Sequence, residues 1–409
     1  MGRLLTTGAE SNAFEVEGVT PFNTPGIVTS PVRTGNYAYS NEGSGQDSIR
    51  YTTSGVLGTT YYIRAYFHVD TTISVPIKVL TFRTAAVGNL VSVRIYGISG
   101  KNVYGLWNDV TNTQIGSNSL QYDLNTWVQV ELSIITNVGS TDAAEMMIEN
   151  VSVANATGLA LSDSAPDIID VGYFGGSQGK LSWDDVALND SNGSDQNSWP
   201  GAGSQVLLLP ISDNARDTKW TGGAGGTTNL YDAVNNTPPI GTATETDLTQ
   251  IEHAGGAAGT TDRYDANMTT FATTGLTAAD TISLMQFVEV DGEDITTGAK
   301  LLNFEVLSNP VMASPGNVTA GDNIGALGTY PANWAAHRSA VLYNPSVDVD
   351  VSPVMRARRP ETASRVASVC FMGIYVEYVP AEDDPAPRTG GLSEFIRIVE
   401  IGHSNVKIY

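Results

Sequence analysis

Apolar and polar residues alternate with a period of two along much of this chain, and the clearest example is residues 61–70. One face holds Tyr61, Ile63, Ala65, Phe67 and Val69, and the other holds Tyr62, Arg64, Tyr66, His68 and Asp70. Such alternation predicts a β-strand with one face on a core and the other in water.

Further strands are predicted by the same pattern in both halves of the chain. They are expected at 89–97, 127–134, 145–153, 181–188, 206–209, 281–290, 300–307 and 366–379. The segment 366–379 is apolar on both faces, which indicates a central, fully buried strand. Many short strands separated by Gly, Asn and Asp predict an all-β fold of the sandwich type.

The length of 409 residues favours two domains. Residues 191–204 consist of turn formers and predict a linker between a β-sandwich at 1–190 and a second β-sandwich or jelly-roll domain at 205–380. A Pro- and Gly-rich stretch then begins an extended C-terminal arm at 381–409. Its strand-like end either returns to its own domain or adds to the sheet edge of a neighbour.

The formal net charge of −22 changes the set of expected partners. Such an acidic chain repels nucleic acid and anionic membranes, so neither is expected to bind it. The chain has one cysteine, Cys370, so no disulfide forms within it. No apolar run approaches 18 residues and the N-terminus lacks a secretory pattern, which predicts folding in a reducing cytoplasm.

A possible catalytic motif is E-x-D-x-E at Glu289, Asp291 and Glu293. Paired carboxylates can hydrolyse glycosidic bonds when they lie close together. However, Asp291-Gly292 is typical of a hairpin turn, so the strand is expected to end there and the three side chains to lie in solvent. The four histidines are too scattered for a zinc site. The prediction is therefore that the chain is not an enzyme.

Calcium is the one ion for which the sequence offers ligands. Asp184-Asp185 and the pair Asp348 and Asp350 present carboxylate oxygens, but calcium needs six to eight oxygens. These fragments are also typical of turn or edge carboxylates. No cofactor is expected beyond this possible structural calcium.

The only basic cluster in the acidic chain lies near the end of the second domain. Its members are Arg356, Arg358, Arg359 and Arg365. They either dock an acidic partner or pair internally with Asp348, Asp350 or Glu361. The arm offers a second docking segment, with apolar positions at Phe395, Ile396 and Ile398.

Several local motifs resemble one family, the laminin-G-like virion proteins of tailed bacteriophages. They are Arg3-Leu4-Leu5-Thr6 with Gly8 and Glu10, the run Trp183-Asp184-Asp185-Val186-Ala187-Leu188-Asn189-Asp190, Asn197-Ser198-Trp199-Pro200-Gly201 followed by Pro210, Asp213 and Trp220, and Val376-Glu377-Tyr378. The resemblance implies a concanavalin A-like, laminin-G-like jelly roll for the first domain and a place in the virion. It does not extend to 381–409.

Two functions are expected from the resemblance and the composition together. The first is a virion structural protein on the particle surface, assembled in the bacterial cytoplasm. It would be a capsid decoration or minor head protein, homo-oligomeric and bound to capsid or tail subunits. The alternative is a tail-associated carbohydrate-binding protein that contacts a host surface glycan. Suitable aromatic residue types are Tyr62, Tyr66, Tyr96 and Trp107, although the sequence assigns no glycan-binding residue.

Overall fold

The computed structural model describes residues 2–12, 14, 17–41, 46–137, 141–174, 179–201, 203–217, 220–222, 251–253, 263–293, 303–306, 328–329, 335–338, 342–345, 350, 354–358 and 367–381. The prediction of an all-β fold is confirmed, because nearly all regular structure in these residues is strand. Their only helical turn is a 3₁₀ helix at Ala272–Thr274. None of their helices is long and apolar enough to span a membrane.

The first half of the chain forms two antiparallel sheets, called sheet A and sheet B. In spatial order, sheet A consists of β13 (Val151–Leu159), β12 (Asp142–Ile148), β11 (Trp127–Ile135), β6 (Thr60–Val69), β15 (Leu181–Asp190), β4 (Ala38–Asn41) and β3 (Pro25–Val28), with β1 (Arg3–Thr7) also paired to β15. Sheet B consists of β10 (Thr113–Ile115), β9 (Lys101–Asn108), β8 (Gly88–Ile98), β7 (Ile77–Thr84), β14 (Ile168–Phe174), β5 (Ser48–Thr52) and β2 (Thr20–Phe22).

The core of this half is built from the inward-facing residues of both sheets. Ile63 and Phe67 from sheet A join Phe82 and Val93 from sheet B in one buried apolar cluster, as the alternation predicts. Trp183 on β15 is the largest of the fully buried side chains. Burying an apolar side chain of this kind contributes about 1.5–3 kcal/mol, so the cluster is the main stabilising element of the sandwich.

The second half forms an 11-stranded sheet, called sheet C. Its main path is β17 (Trp220–Gly222), β18 (Ile251–His253), β26 (Ala367–Val379), β16 (Gln205–Asp217), β19 (Arg263–Met268), β25 (Val354–Arg358) and β21 (Asn303–Val306); β20 (Thr281–Glu293) pairs with β26 and with β22 (Gly328–Thr329), β23 (Ala335–Arg338) and β24 (Leu342–Tyr343). Among the strand pairs that the structure describes, only β20 and β22 run parallel. The prediction that 366–379 is a central strand is confirmed, since β26 pairs with β16, β18 and β20.

Two local predictions about strand ends are wrong. Residues 145–153 form a hairpin rather than one strand, because Glu149 and Asn150 both adopt positive φ and reverse the chain between β12 and β13. In the second half, Asp291-Gly292 is not a turn. Strand β20 continues to Glu293 and pairs with β26 through this dipeptide.

Candidate functional site

The middle of the outer face of sheet A is covered, although its sequence predicted exposure to water. Arg64 is 0% exposed and Tyr66 is 2% exposed. Arg64 Nη1 donates to the carbonyl oxygen of Gly201 at 3.0 Å, and the hydroxyl of Tyr66 accepts a hydrogen bond from the N–H of Gly203 at 3.0 Å. The prediction of a wet face fails here because the chain after β15 returns across the sheet.

The same returning segment covers the neighbouring aromatic position. Trp199 packs edge-on against Tyr62 with ring centroids 5.2 Å apart. Gly201 donates its N–H to Glu131 on β11 at 3.0 Å, and burial raises the pKa of that carboxyl. The predicted linker at 191–204 is therefore packed on sheet A in its second part, where Tyr66 is buried and Tyr62 is half-buried.

A buried ion cluster, the joint, connects this sandwich to sheet C and consists of Arg3, Arg64 and Glu377. Arg3 makes an ion pair with Glu377 through Nη1, and its Nη2 lies 3.1 Å from the second carboxylate oxygen. Arg64 Nη2 lies 3.8 Å from the same carboxylate. Burial opposes ionisation of Glu377, but the two guanidinium groups outweigh it and lower the pKa of this carboxyl.

A second set of polar contacts reinforces the joint near β16. Asp185 adopts positive φ and pairs with Arg33. One oxygen of Asp185 accepts the hydroxyl hydrogen of Thr34 at 2.7 Å and the N–H of Val206 at 2.8 Å. Tyr375 on β26 donates to Glu17 at 2.6 Å. These contacts tie the first residues of sheet C to the sandwich.

The predicted calcium ligands Asp184 and Asp185 belong to this network. Asp184 accepts the N–H of Arg33 at 3.0 Å and that of Asp185 at 2.8 Å. The described residues contain no group of three or more His, Cys, Asp or Glu side chains arranged to hold a metal ion. Asp348 lies outside the described residues. A calcium site stays a prediction.

Two carboxyls beside the joint have strongly raised pKa values. Burial raises the pKa of Glu10 to about 9, against the opposing hydrogen bond from the N–H of Asn36. Burial also raises the pKa of Asp184 well above its usual value, and the adjacent Asp185 adds to the effect. Perturbed carboxyls often mark functional sites, but Glu10 and Asp184 are both buried away from solvent.

The outer face of sheet B holds the other two aromatic candidates. Trp107 on β9 and Tyr96 on β8 are half-buried. The guanidinium carbon of Arg94 lies 4.1 Å from the centroid of the Trp107 ring. Arg94 Nη2 also donates to Asp109 Oδ1 at 2.5 Å and to Asn112 Oδ1 at 3.0 Å, which fixes the guanidinium beside the ring.

A glycine makes room for the indole on this face. A Cβ at Gly105 would lie 3.3 Å from Nε1 of Trp107 and 3.0 Å from Oδ1 of Asn118. The side chain of Trp107 therefore extends over Gly105. Gln114 on the edge strand β10 is exposed opposite Trp107 and donates to Asn118 at 2.6 Å. Nε1 of Trp107 has no hydrogen-bond partner among the described residues.

The predicted docking residues are only partly placed. Arg356 and Arg358 lie on β25, where Arg356 is in register with Asp265 of β19 and Glu305 of β21. Arg359, Arg365, Phe395, Ile396 and Ile398 lie outside the described residues. Docking through the arginine cluster or the arm stays a prediction.

No protein-family model matches the chain, and no curated protein matches it. The chain is similar to solved structures of carbohydrate-active proteins. One is a carbohydrate esterase from the Shiga toxin-encoding bacteriophage phi24B (18% identity, TM-score 0.36, 46% of this chain and 97% of that one). Another is an endo-β-1,4-glucuronan lyase from the fungus Trichoderma reesei (13%, 0.34, 46% and 95%). A third is domain 4 of an arabinanase from Geobacillus stearothermophilus with arabinotriose (12%, 0.34, 46% and 92%).

One prediction is corrected by this comparison. The chain was expected not to be an enzyme, whereas the similar structures include a lyase and an esterase. That expectation depended on contiguous motifs, and residues scattered over a sheet face form active sites without any contiguous motif. The expectation of a chain without activity is therefore withdrawn.

Proposed function

We propose that this chain is a carbohydrate-binding protein on the surface of a tailed-bacteriophage particle, and that it binds glycan on the outer face of sheet B. One observation supports the choice of face more than any other. The sandwich has two outer faces with aromatic residues, and a later segment of the chain packs on Tyr62 and Tyr66 of the one on sheet A. Trp107 and Tyr96 on sheet B are half-buried, and Trp107 contacts the guanidinium of Arg94 rather than a returning segment.

The chemistry around Trp107 suits a sugar. An indole presents a flat apolar surface, and a sugar ring has apolar C–H surface that can pack on it. Gln114 and Asn118 add amide groups beside the ring. Arg94 is held by Asp109 and Asn112, so little side-chain entropy is lost when a ligand contacts it.

The place on the particle follows from the resemblance to laminin-G-like virion proteins. In this proposal the chain is a homo-oligomer bound to capsid or tail subunits through 381–409 and the arginine cluster, and it contacts a host surface glycan. The net charge of −22 keeps such copies soluble before assembly. A tail location suits glycan binding at host contact, and a head location suits the capsid decoration first expected.

Glycan binding is tested with the full chain on an array of neutral and acidic glycans. Trp107→Ala should weaken the best binder at least tenfold, which is about 1.4 kcal/mol. Trp127→Ala is the matched control, because Trp127 is also half-buried but lies on sheet A beside His68. Equal affinities for the two variants, or no binding to any glycan by the parent chain, would refute the proposal.

The particle location needs a separate experiment. Cryo-electron microscopy of intact phage should be compared with particles that lack this chain. Density lost from the tail tip or fibres supports host attachment, and density lost at regular positions over the head supports decoration. Identical particles would rule out the virion proposal while leaving glycan binding to be judged by the array.

A further inference from the structure

Four basic side chains lie in a row on the outer face of sheet B. This cationic stripe consists of Arg50 on β5, Lys78 and Arg83 on β7, and Arg94 on β8. Their side chains are 22%, 23%, 27% and 14% exposed. Each is thus anchored in the surface and still accessible to a ligand.

Two buried carboxylates hold the stripe in place. Asp170 accepts from Nε of Arg50 at 2.7 Å and lies 3.5 Å from Nη1 of Arg83. Asp109 lies 3.0 Å from Nζ of Lys78 and 2.5 Å from Nη2 of Arg94. Four cations therefore share two anions, and these six side chains together carry a net charge of +2 in a chain whose total is −22. The positive surplus is concentrated on one face.

Polar atoms on the same face lack partners among the described residues. They include Nε of Arg83, Oγ1 of Thr81 and Nε1 of Trp107. Thr81 lies between the two ion clusters, in register with Asp170 on β14 and Ser92 on β8. All three atoms are buried, so the ligand contacts on this face are the partly exposed guanidinium and ammonium groups.

Aromatic rings border the stripe at both ends. Phe22 on β2 has the guanidinium of Arg50 4.3 Å from its centroid, and Trp107 has that of Arg94 at 4.1 Å. Strands β5 and β8 are three strand spacings apart, about 14 Å. The stripe is therefore long enough for several consecutive sugar units and is ended by stacking surfaces.

From these observations we infer that the ligand of sheet B is an acidic polysaccharide, whose acid groups lie along Arg50, Lys78, Arg83 and Arg94 and whose sugar rings contact Trp107. This inference rests on the proposed glycan-binding function and specifies its ligand class. The chain as a whole is acidic, so charge complementarity favours binding of an acidic polymer at this basic face.

The experiment compares an acidic polysaccharide with its neutral ester and with a polysaccharide that carries a second kind of acid group. Polygalacturonate and its fully methyl-esterified form share one backbone, and dextran sulfate offers acid groups of another kind. Binding of the full chain is measured at about 50 and 300 mM salt. We expect an acidic probe to bind at least tenfold more tightly than the ester, and to weaken at the higher salt. Binding of dextran sulfate alone would indicate sulfate as the recognised acid group, and binding of polygalacturonate alone would indicate carboxylate.

Variants then locate the binding. Arg83→Gln and, separately, Arg50→Gln should each weaken the acidic probe several-fold, with unchanged circular dichroism. Lys101→Gln is the matched control, because it removes one positive charge from a 44% exposed side chain paired with Asp123. Equal binding of polygalacturonate and its ester, or equal effects of Lys101→Gln and Arg83→Gln, would overturn the acidic ligand while glycan binding stands. Binding only to neutral glycans on the array would also overturn the acidic ligand and leave glycan binding standing. No binding to any glycan on the array would refute the proposed function itself.

Discussion

The buried joint gives the most quantitative prediction, which is the cost of Glu377→Gln. Glu377 is 1% exposed and is the carboxylate that both Arg3 and Arg64 face. The amide keeps the shape but removes the charge, which leaves two buried guanidinium groups without their counterion. Removing one partner of a buried ion pair costs about 3–5 kcal/mol, so we expect a loss of that size in the free energy of unfolding.

The assay is urea denaturation followed by tryptophan fluorescence, with the midpoint compared at unchanged slope. Asp123→Asn is the matched control, since it makes the same carboxylate-to-amide change in an exposed pair with Lys101. That exposed pair is expected to contribute below about 1 kcal/mol. A loss for Glu377→Gln as small as that of the control would refute the reasoning.

A double-mutant cycle isolates the interaction itself. Arg3→Met and Glu377→Leu are measured alone and together. Because the two side chains contact each other directly, their coupling should reach about 2–3 kcal/mol. Additive effects would mean that the joint stabilises through packing alone.

The remaining predictions concern pH, the core and the outer face of sheet B. Burial raises the pKa of Glu10 from its ordinary value of 4.5 to about 9 in the folded protein. At a pH between these two values, Glu10 is protonated in the folded state and releases its proton when the protein unfolds. The free energy of unfolding should therefore fall by about 1.4 kcal/mol for each pH unit across this range. Glu10→Gln should make the urea midpoint less dependent on pH. The same pH dependence in the variant and the parent chain would contradict this prediction. Trp183→Ala should cost about 3–5 kcal/mol by thermal unfolding, because the ring is fully buried, and a loss below about 1 kcal/mol would argue against that packing. Gly105→Val should push the indole of Trp107 aside and weaken glycan binding about tenfold with little change in Tm; full affinity would show that the ring position is unimportant.

The sequence predicted strands and core positions well where the signal was local. Alternation at 61–70 identified Ile63 and Phe67 as core residues, because a pleated strand sends every second side chain to the same face. The central strand at 366–379 was equally clear from its apolar composition. The turn at Glu149-Asn150 was missed, since neither residue is a glycine and the positive φ is invisible in a propensity pattern.

The outer face of sheet A shows what local patterns could not predict. Arg64 was assigned to water because it is charged, yet it is fully buried beneath a segment more than 130 residues later in the chain. Its partner Glu377 is more distant still. Contacts between residues so far apart in the chain produce no periodic pattern in the sequence. The positive charge of the outer face of sheet B could not be predicted from the sequence either, because the basic residues of the stripe are spread over three separate strands.

The central claim is that the outer face of sheet B binds an acidic glycan. A crystal structure of the full chain with an acidic oligosaccharide tests it most directly. The account predicts sugar density across β7, β8 and β9, with an acid group hydrogen-bonded to Arg83 or Arg94 and a sugar ring against Trp107. Oligosaccharide bound at sheet C or along a sheet edge, with the cationic stripe empty, would contradict it.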